Sequence, residues 1–424
     1  MEKKSCRILA CLFFLVLSGT FAAPVAAAYS VLTHQAVIDA AWAKGLQPLL
    51  LQRFPKSTAE DLRKAHAFAY GGAIVQDMGY YPFGSTFFTD LTHYVRSGDF
   101  VAQLLRHAKT QEEYAFALGA LAHYNADIFG HPIGTNHAVP LVYPKIGAKY
   151  GNTVTYAEDP LSHIKTEFGF DVLEVARGNY APESYHDFIG FEVADELLEK
   201  AFLETYGLEL KEVFVSLPLA VGTYRYTIKN IFPELTKAAW QAKKNEIQQA
   251  KPGATRRAFV YRMSRASYRQ QWGRDYERPQ FYARALAWVI KMLPKIGPLR
   301  PLAFVPPTPA AEEVYFKSFN ATVDAYSAML QRMRKTDAAP HLRNLQLDTG
   351  QPTAPGTYKL ADETYAKLLA KLSVDEFKHL TPALRHNIMA FYKQVQTAKQ
   401  VNEKAEAWKE TQQALARLEA AEAL

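Results

Sequence analysis

His123, Asp127 and His131 follow one another at four-residue steps in Leu118-Gly119-Ala120-Leu121-Ala122-His123-Tyr124-Asn125-Ala126-Asp127-Ile128-Phe129-Gly130-His131. His163 and Glu167 repeat the step in Ser162-His163-Ile164-Lys165-Thr166-Glu167. Residues four apart share one face of an α-helix, so each set can aim imidazoles and carboxylates at one point. Imidazole nitrogen and carboxylate oxygen have the hardness and reach of zinc ligands. Either set alone reads more simply as a surface pair or as a satisfied core histidine. Density shifts the balance towards metal, because nine of the twelve histidines lie between His34 and His186.

Three further candidates stand upstream. Asp77 ends the apolar, glycine-bearing run Gly71-Gly72-Ala73-Ile74-Val75-Gln76-Asp77, where a turn or cap carboxylate is the bland alternative. His93, in Thr92-His93-Tyr94, could simply hydrogen-bond a loop, and for His34 the bland alternative is a partly exposed residue in the first turn of its helix.

Taken in chain order, these pieces form a series: an early histidine, Gly-x-x-x-x-Asp, Thr-His-Tyr, His-x-x-x-Asp-x-x-x-His and His-x-x-x-Glu. The series resembles the zinc-dependent phospholipase C superfamily over roughly residues 29–210. Relatives of that superfamily include the fungal and plant single-strand-specific zinc nucleases and the catalytic domain of glycosylphosphatidylinositol-specific phospholipase D. The resemblance implies an all-α catalytic domain with three zinc ions. Asp77, His93, His123 and Asp127 would hold one; His131, His163 and Glu167 a second. The third would be held by His34, by Asp127 as a bridge, and by the amino nitrogen and carbonyl oxygen of a mature N-terminal Tyr29. It also implies attack of an activated water on a phosphodiester, with Asp77 both ligand and proton acceptor. The chain departs from the family at Tyr29, where tryptophan is usual, and at Gln76, where many members have proline. The spacing after Asp127 leaves His137 competing with His131.

The elements that must position these residues read mainly as helices: 33–43, 110–126, 161–175, 191–206, 223–251, 255–271 and 279–292 carry apolar residues at steps of three and four. Segments 83–88 and 132–155, rich in Gly, Pro and aromatic residues, read as loops. The aromatic run from Tyr80 to Phe88 should border the metal site, where it could hold a head group, meet a lipid interface or stack bases, or else pack into its own core. Proline density over 294–310 reads as an extended connection. Beyond it, Phe316, Phe319, Val323, Tyr326, Leu330 and Met333 form one helical stripe, 335–356 reads as a polar loop, and 386–423 as a last helix. The expected organisation is 1–28 export signal, 29–293 helical catalytic domain, 294–310 linker and 311–424 C-terminal helical region.

Residues 1–28 begin with Lys3, Lys4 and Arg7, continue through an apolar run from Ile8 to Leu17 and end in Ala26-Ala27-Ala28. This is the order of a signal peptide, and the apolar run is about half the ~20 residues of a membrane span. A lipoprotein at Cys11 and an uncleaved anchor are the other readings. Both cysteines of the chain, Cys6 and Cys11, fall in this segment. The mature chain would therefore have neither a disulfide framework nor thiolate metal sites. Its basic excess concentrates in seven arginines between Gly253 and Arg278, opposed by Asp275 and Glu277, so diffuse attraction to nucleic acid is not implied. That segment could meet an anionic membrane, or be a solvated helix face.

The expectation is thus an exported, periplasmic or secreted, zinc-dependent phosphodiesterase acting on glycerophospholipids, with peripheral membrane contact as a further expectation. A single-strand nuclease and a metal-binding envelope protein without catalysis are the alternatives, and nucleic acid is a partner only under the first of these. Neither the head group nor the oligomeric state is written in the sequence.

Overall fold

The computed structural model describes residues 30–176, 191–228, 239, 243, 245, 303–395 and 405–421. The segment expected to be an export signal, Tyr29, the arginine-rich segment and the helices expected over 255–271 and 279–292 lie outside the described residues. Among the described residues the protein is all-α apart from one small ribbon, Leu345–Gln346 paired antiparallel with Gln351–Pro352. No described helix is long and apolar enough to cross a membrane.

Six helices matter most for the site: α1 (Val31–Ala41), α2 (Ala59–Gly72), α3 (Thr86–Tyr94), α4 (Gln111–Phe129), α5 (Pro160–Ala176) and α6 (Pro309–Thr336). Local chemistry sets several of their starts. Thr58 and Asp61 cap α2 reciprocally, as Thr110 and Glu113 cap α4, satisfying amide donors that a helix start leaves open. The cap of α1 comes from a distance. Ser30 makes no side-chain cap; instead buried Asp171 on α5 accepts the amides of Leu32 at 2.9 Å and Thr33 at 3.2 Å, with the Thr33 hydroxyl at 2.8 Å.

Helices α2 and α4 cross at very close range because each presents a glycine. A Cβ on Gly72 would sit 1.9 Å from the Phe116 carbonyl oxygen, and one on Gly119 would sit 2.1 Å from that of Ala69. The short 3₁₀ turn Val75–Tyr80 follows α2 and carries Asp77. Thr89 ties this turn to α3: its hydroxyl donates to the Gln76 carbonyl at 2.7 Å and accepts the Gly79 amide at 3.0 Å.

Several expectations from the sequence are corrected. The stretch 132–155 is largely helical: after a wide π-type turn, Gly130–Thr135, come Asn136–Val142 and Pro144–Tyr150. Pro144 supplies a first-turn proline, a position where its missing amide costs nothing. The segment 83–88 is only partly loop, since α3 starts at Thr86 behind the Ser85 cap. The polar loop 335–356 contains the ribbon, and the last helix is found as Pro382–Val395 and Ala405–Ala420, with 396–404 outside the described residues. Leu217–Tyr226 stands where a helix from 223 was expected, and α6 begins at Pro309.

The C-terminal region shares one hydrophobic core with the N-terminal helices: Phe319, Val323, Tyr326, Leu330, Tyr365 and Leu418 belong to the same cluster as Leu32, Phe88 and Leu121. Tyr315, Phe319, Val323, Tyr326, Leu330 and Met333 of α6 are all buried. At roughly 1.5–3 kcal/mol for each such side chain, docking α6 contributes on the order of 10 kcal/mol. That is comparable to the whole stability of a typical domain. The composition break at 294–310 therefore separates sequence but not packing.

Candidate metal centre

Eight of the nine expected ligands fall within the described residues, and all eight are buried: His34, Asp77, His93, His123, Asp127, His131, His163 and Glu167. Tyr29 lies outside them. The ligand atoms gather in three sets, His34 with His123 and Asp127, Asp77 with His93 and His123, and His131 with His163 and Glu167. Within each set they lie within 4.8 Å of one another. His34 is buried and not the partly exposed residue of its bland alternative; the Asp171 cap draws the start of α1 into the interior, and His34 stacks on His123 with ring centroids 4.4 Å apart.

His123 and Asp127 share a face of α4, and the His123 Nε2 lies 3.1 Å from an Asp127 oxygen. His131 does not continue that face. The helix gives way to the π-type turn at Gly130, which places His131 beside His163, with ring centroids 5.1 Å apart. His137 is exposed and points its Nδ1 at the Asn152 carbonyl, so His131 is the histidine brought to Glu167 and His163.

Hydrogen bonding fixes the tautomers. The His93 Nδ1 faces the Thr89 carbonyl at 2.9 Å, and the His123 Nδ1 faces the Ala73 carbonyl at 2.9 Å. A carbonyl only accepts, so each Nδ1 carries its proton and each Nε2 keeps a lone pair when the ring is neutral. The His93 Nε2 is 3.4 Å from Asp77 and 3.2 Å from Asp127. Among the described residues, histidine rings are the only donors near either carboxylate, though all four oxygens are buried. Burying such acceptors without a counter-charge is costly, and a metal cation would resolve the conflict. The residues present therefore fit zinc.

Electrostatics within the cluster run in opposite directions. Burial works to lower His93, but the carboxylates of Asp127 and Asp77 outweigh it and hold the imidazole well above its ordinary value. Burial works to raise Asp127, but the neighbouring His123 and His93 hold it well below the usual carboxylate range. Burial pushes Asp77 up. His34, His131 and His163 are all pushed down by burial, which favours the neutral form that binds metal.

The aromatic run is mostly core. Tyr81 packs edge-on against Tyr224, and Phe88 sits among Phe100, Phe202 and Phe214. Tyr80 joins Tyr156 and Ile164, and Tyr156 lies edge-on to His163, so this end of the run borders the second set. Phe83 is exposed.

Sequence reasoning missed Asn136, Asp171 and Asp348. Asn136 faces the His163 Nε2 at 2.8 Å, and Asp348 lies 3.3 Å from the His131 Nε2. Asp171 carried a signal, since it continues the four-residue steps of His163 and Glu167 along one helix. Asp348, in Asp348-Thr349-Gly350, carried none beyond that of an ordinary turn.

An all-α scaffold thus carries three buried groups of histidine and carboxylate that could hold metal ions. The family model for zinc dependent phospholipase C matches residues 33–215, in support of the resemblance carried by the motifs and of a zinc-dependent hydrolase. No curated protein and no solved structure matches the chain.

Proposed function

We propose that the protein is an exported zinc-dependent phosphodiesterase that hydrolyses glycerophospholipids in the manner of a phospholipase C. The observation that carries this reading is the convergence of Asp77, His93, His123 and Asp127, whose lone pairs and carboxylate oxygens face one another in a buried space. Asp77, His93, His123 and Asp127 would hold one zinc, and His131, His163 and Glu167 a second. His34 and Asp127, with the amine and carbonyl of Tyr29 after removal of residues 1–28, would hold the third. Zinc bound there supplies Lewis acidity, activating water for attack on phosphorus and offsetting charge that grows on the phosphate oxygens.

The chain's own residues do the rest. The Thr89 and Ala73 carbonyls hold the His93 and His123 rings in the ligating tautomer. Asp77, raised by burial, takes the proton of the attacking water. Tyr80 and Tyr156, buried with Ile164, form an aromatic wall beside the second set that backs His163. On this reading the protein works in the periplasm or outside the cell, in peripheral contact with membrane.

A side-by-side assay on phosphatidylcholine vesicles and single-stranded DNA, with zinc content measured on the same preparation, tests the proposal. Release of a phosphorylated head group and diacylglycerol by protein carrying at least two zinc ions is the expected result. Mononucleotide release without lipid cleavage would replace lipid by nucleic acid as substrate. Fewer than two zinc ions and neither activity would leave a binding protein.

A further inference from the structure

We propose that Asp348 is a positioning residue of the metal centre, fixing His131 as the tautomer whose Nδ1 is free to ligate. The inference rests on the zinc reading above. Asp348 lies beyond the residues that match the family, and it reaches the site through the turn that joins the two ribbon strands.

That turn is held against the ligand-bearing helices. The Leu347 amide donates to the carbonyl of His93 at 3.1 Å, and the Thr353 hydroxyl to that of Tyr94 at 3.1 Å. The Ser97 hydroxyl donates to the Leu345 carbonyl at 2.7 Å and accepts its amide at 3.1 Å. Gly350 closes the turn, its amide donating to the Gln346 carbonyl at 2.8 Å. Its φ of +66° lies in the left-handed region, and a Cβ there would meet the Ile128 carbonyl oxygen, next to Asp127 on α4, at 2.9 Å.

The turn delivers a carboxylate that is buried and fully engaged. The hydroxyls of Tyr94, at 2.8 Å, and of Tyr358 donate to its Oδ2. Its Oδ1 faces the His131 Nε2 at 3.3 Å. A carboxylate tied down by two phenols can only accept from His131, so the imidazole proton belongs on Nε2. The His131 Nδ1 is buried and makes no hydrogen bond, which leaves its lone pair for the cation shared with His163 and Glu167. The same segment steadies the neighbouring ligand: the Asn136 amide donates to the Asp348 carbonyl at 2.8 Å, while its oxygen faces the His163 Nε2. Such a carboxylate–histidine pair raises ligand basicity and orients the ring.

The test uses the full mature chain as wild type, Asp348→Asn, Tyr358→Phe and His131→Ala, stripped of metal and titrated with zinc against a chromophoric chelator. The visible spectrum of the cobalt-loaded protein is recorded in parallel. In Asp348→Asn the amide can donate to Nε2 and so favour the wrong tautomer. Affinity for one zinc should fall by about 10- to 100-fold. The cobalt bands should change, and circular dichroism and melting of the metal-free protein should stay near wild type. Tyr358→Phe, which keeps the carboxylate and loosens its hold, should show a smaller loss in the same direction. Wild-type titrations for Asp348→Asn alongside zinc loss in His131→Ala would overturn the inference while the metal reading stands. If Asp348→Asn does not fold, an unchanged Tyr358→Phe titration overturns it instead. A wild-type chain that takes up no zinc removes both readings.

Discussion

The Nε2 atoms of His93 and His123 face each other at 3.3 Å, although each ring has already committed its Nδ1 to a backbone carbonyl. Two lone pairs cannot stay that close without a positive charge on or between them. Metal or proton must supply it, and the two compete for the same space.

Zinc binding should therefore release protons. Asp127 and Asp77 hold His93 above the ordinary imidazole value despite its burial, so zinc has to compete with a proton there. Apparent zinc affinity should fall as pH drops from about 8 to about 6. Calorimetry in two buffers of different ionisation enthalpy measures the release directly. An affinity flat across that range would count against the exchange.

Asp77→Asn should lower turnover by about 100-fold or more, the range expected when a proton acceptor is removed. Zinc content must be read on the same sample. Full activity at unchanged zinc content would take Asp77 out of that role.

Asp171→Asn should change the pH dependence of stability. Burial pushes Asp171 up to about 7 despite the donors at Leu32 and Thr33, whereas the unfolded chain titrates near the usual carboxylate value, about 3.9. A raised folded value means that the stabilising contribution is complete below the unfolded pKa and is lost as pH rises towards 7, by roughly 1.4 kcal/mol per unit. The melting temperature of wild type minus that of Asp171→Asn should accordingly shrink between about pH 4 and 7 and level off above. A constant difference would disprove the assignment.

Gly119→Ala should destabilise the fold by about 1–3 kcal/mol or more, since the added methyl meets backbone and not a yielding side chain. It should also weaken zinc binding, because the crossing of α2 and α4 places the Ala73 carbonyl on His123. Urea denaturation and chelator competition on the same variant check the two effects together, and an unchanged urea midpoint would contradict the first.

Helix class was legible because periodicity is a local property, and α4 and α5 stand close to where the spacing puts them. His123 with Asp127, and His163 with Glu167, were legible for the same reason. His34, Asp77 and His93 stood out only through the order of motifs, since nothing local distinguishes Asp77 from a turn carboxylate. The π-type turn that re-aims His131 was hidden, because Gly130 and Pro132 announce a break without giving its geometry. Short helices from Asn136 to Tyr150 were masked by the same punctuating residues. Asp348 was out of reach: its partners Tyr94 and His131 lie in distant sequence, and Asp348-Thr349-Gly350 looks like any solvated turn.

The cap that Asp171 places on α1, and the seat that Tyr94 offers Asp348, join parts of the chain well over a hundred residues apart. Closing such long loops costs chain entropy that the contacts they make must offset. The carboxylate that faces His131 thus comes from a segment more than two hundred residues further along the chain, so a change near Asp348 reaches the ligand shell directly.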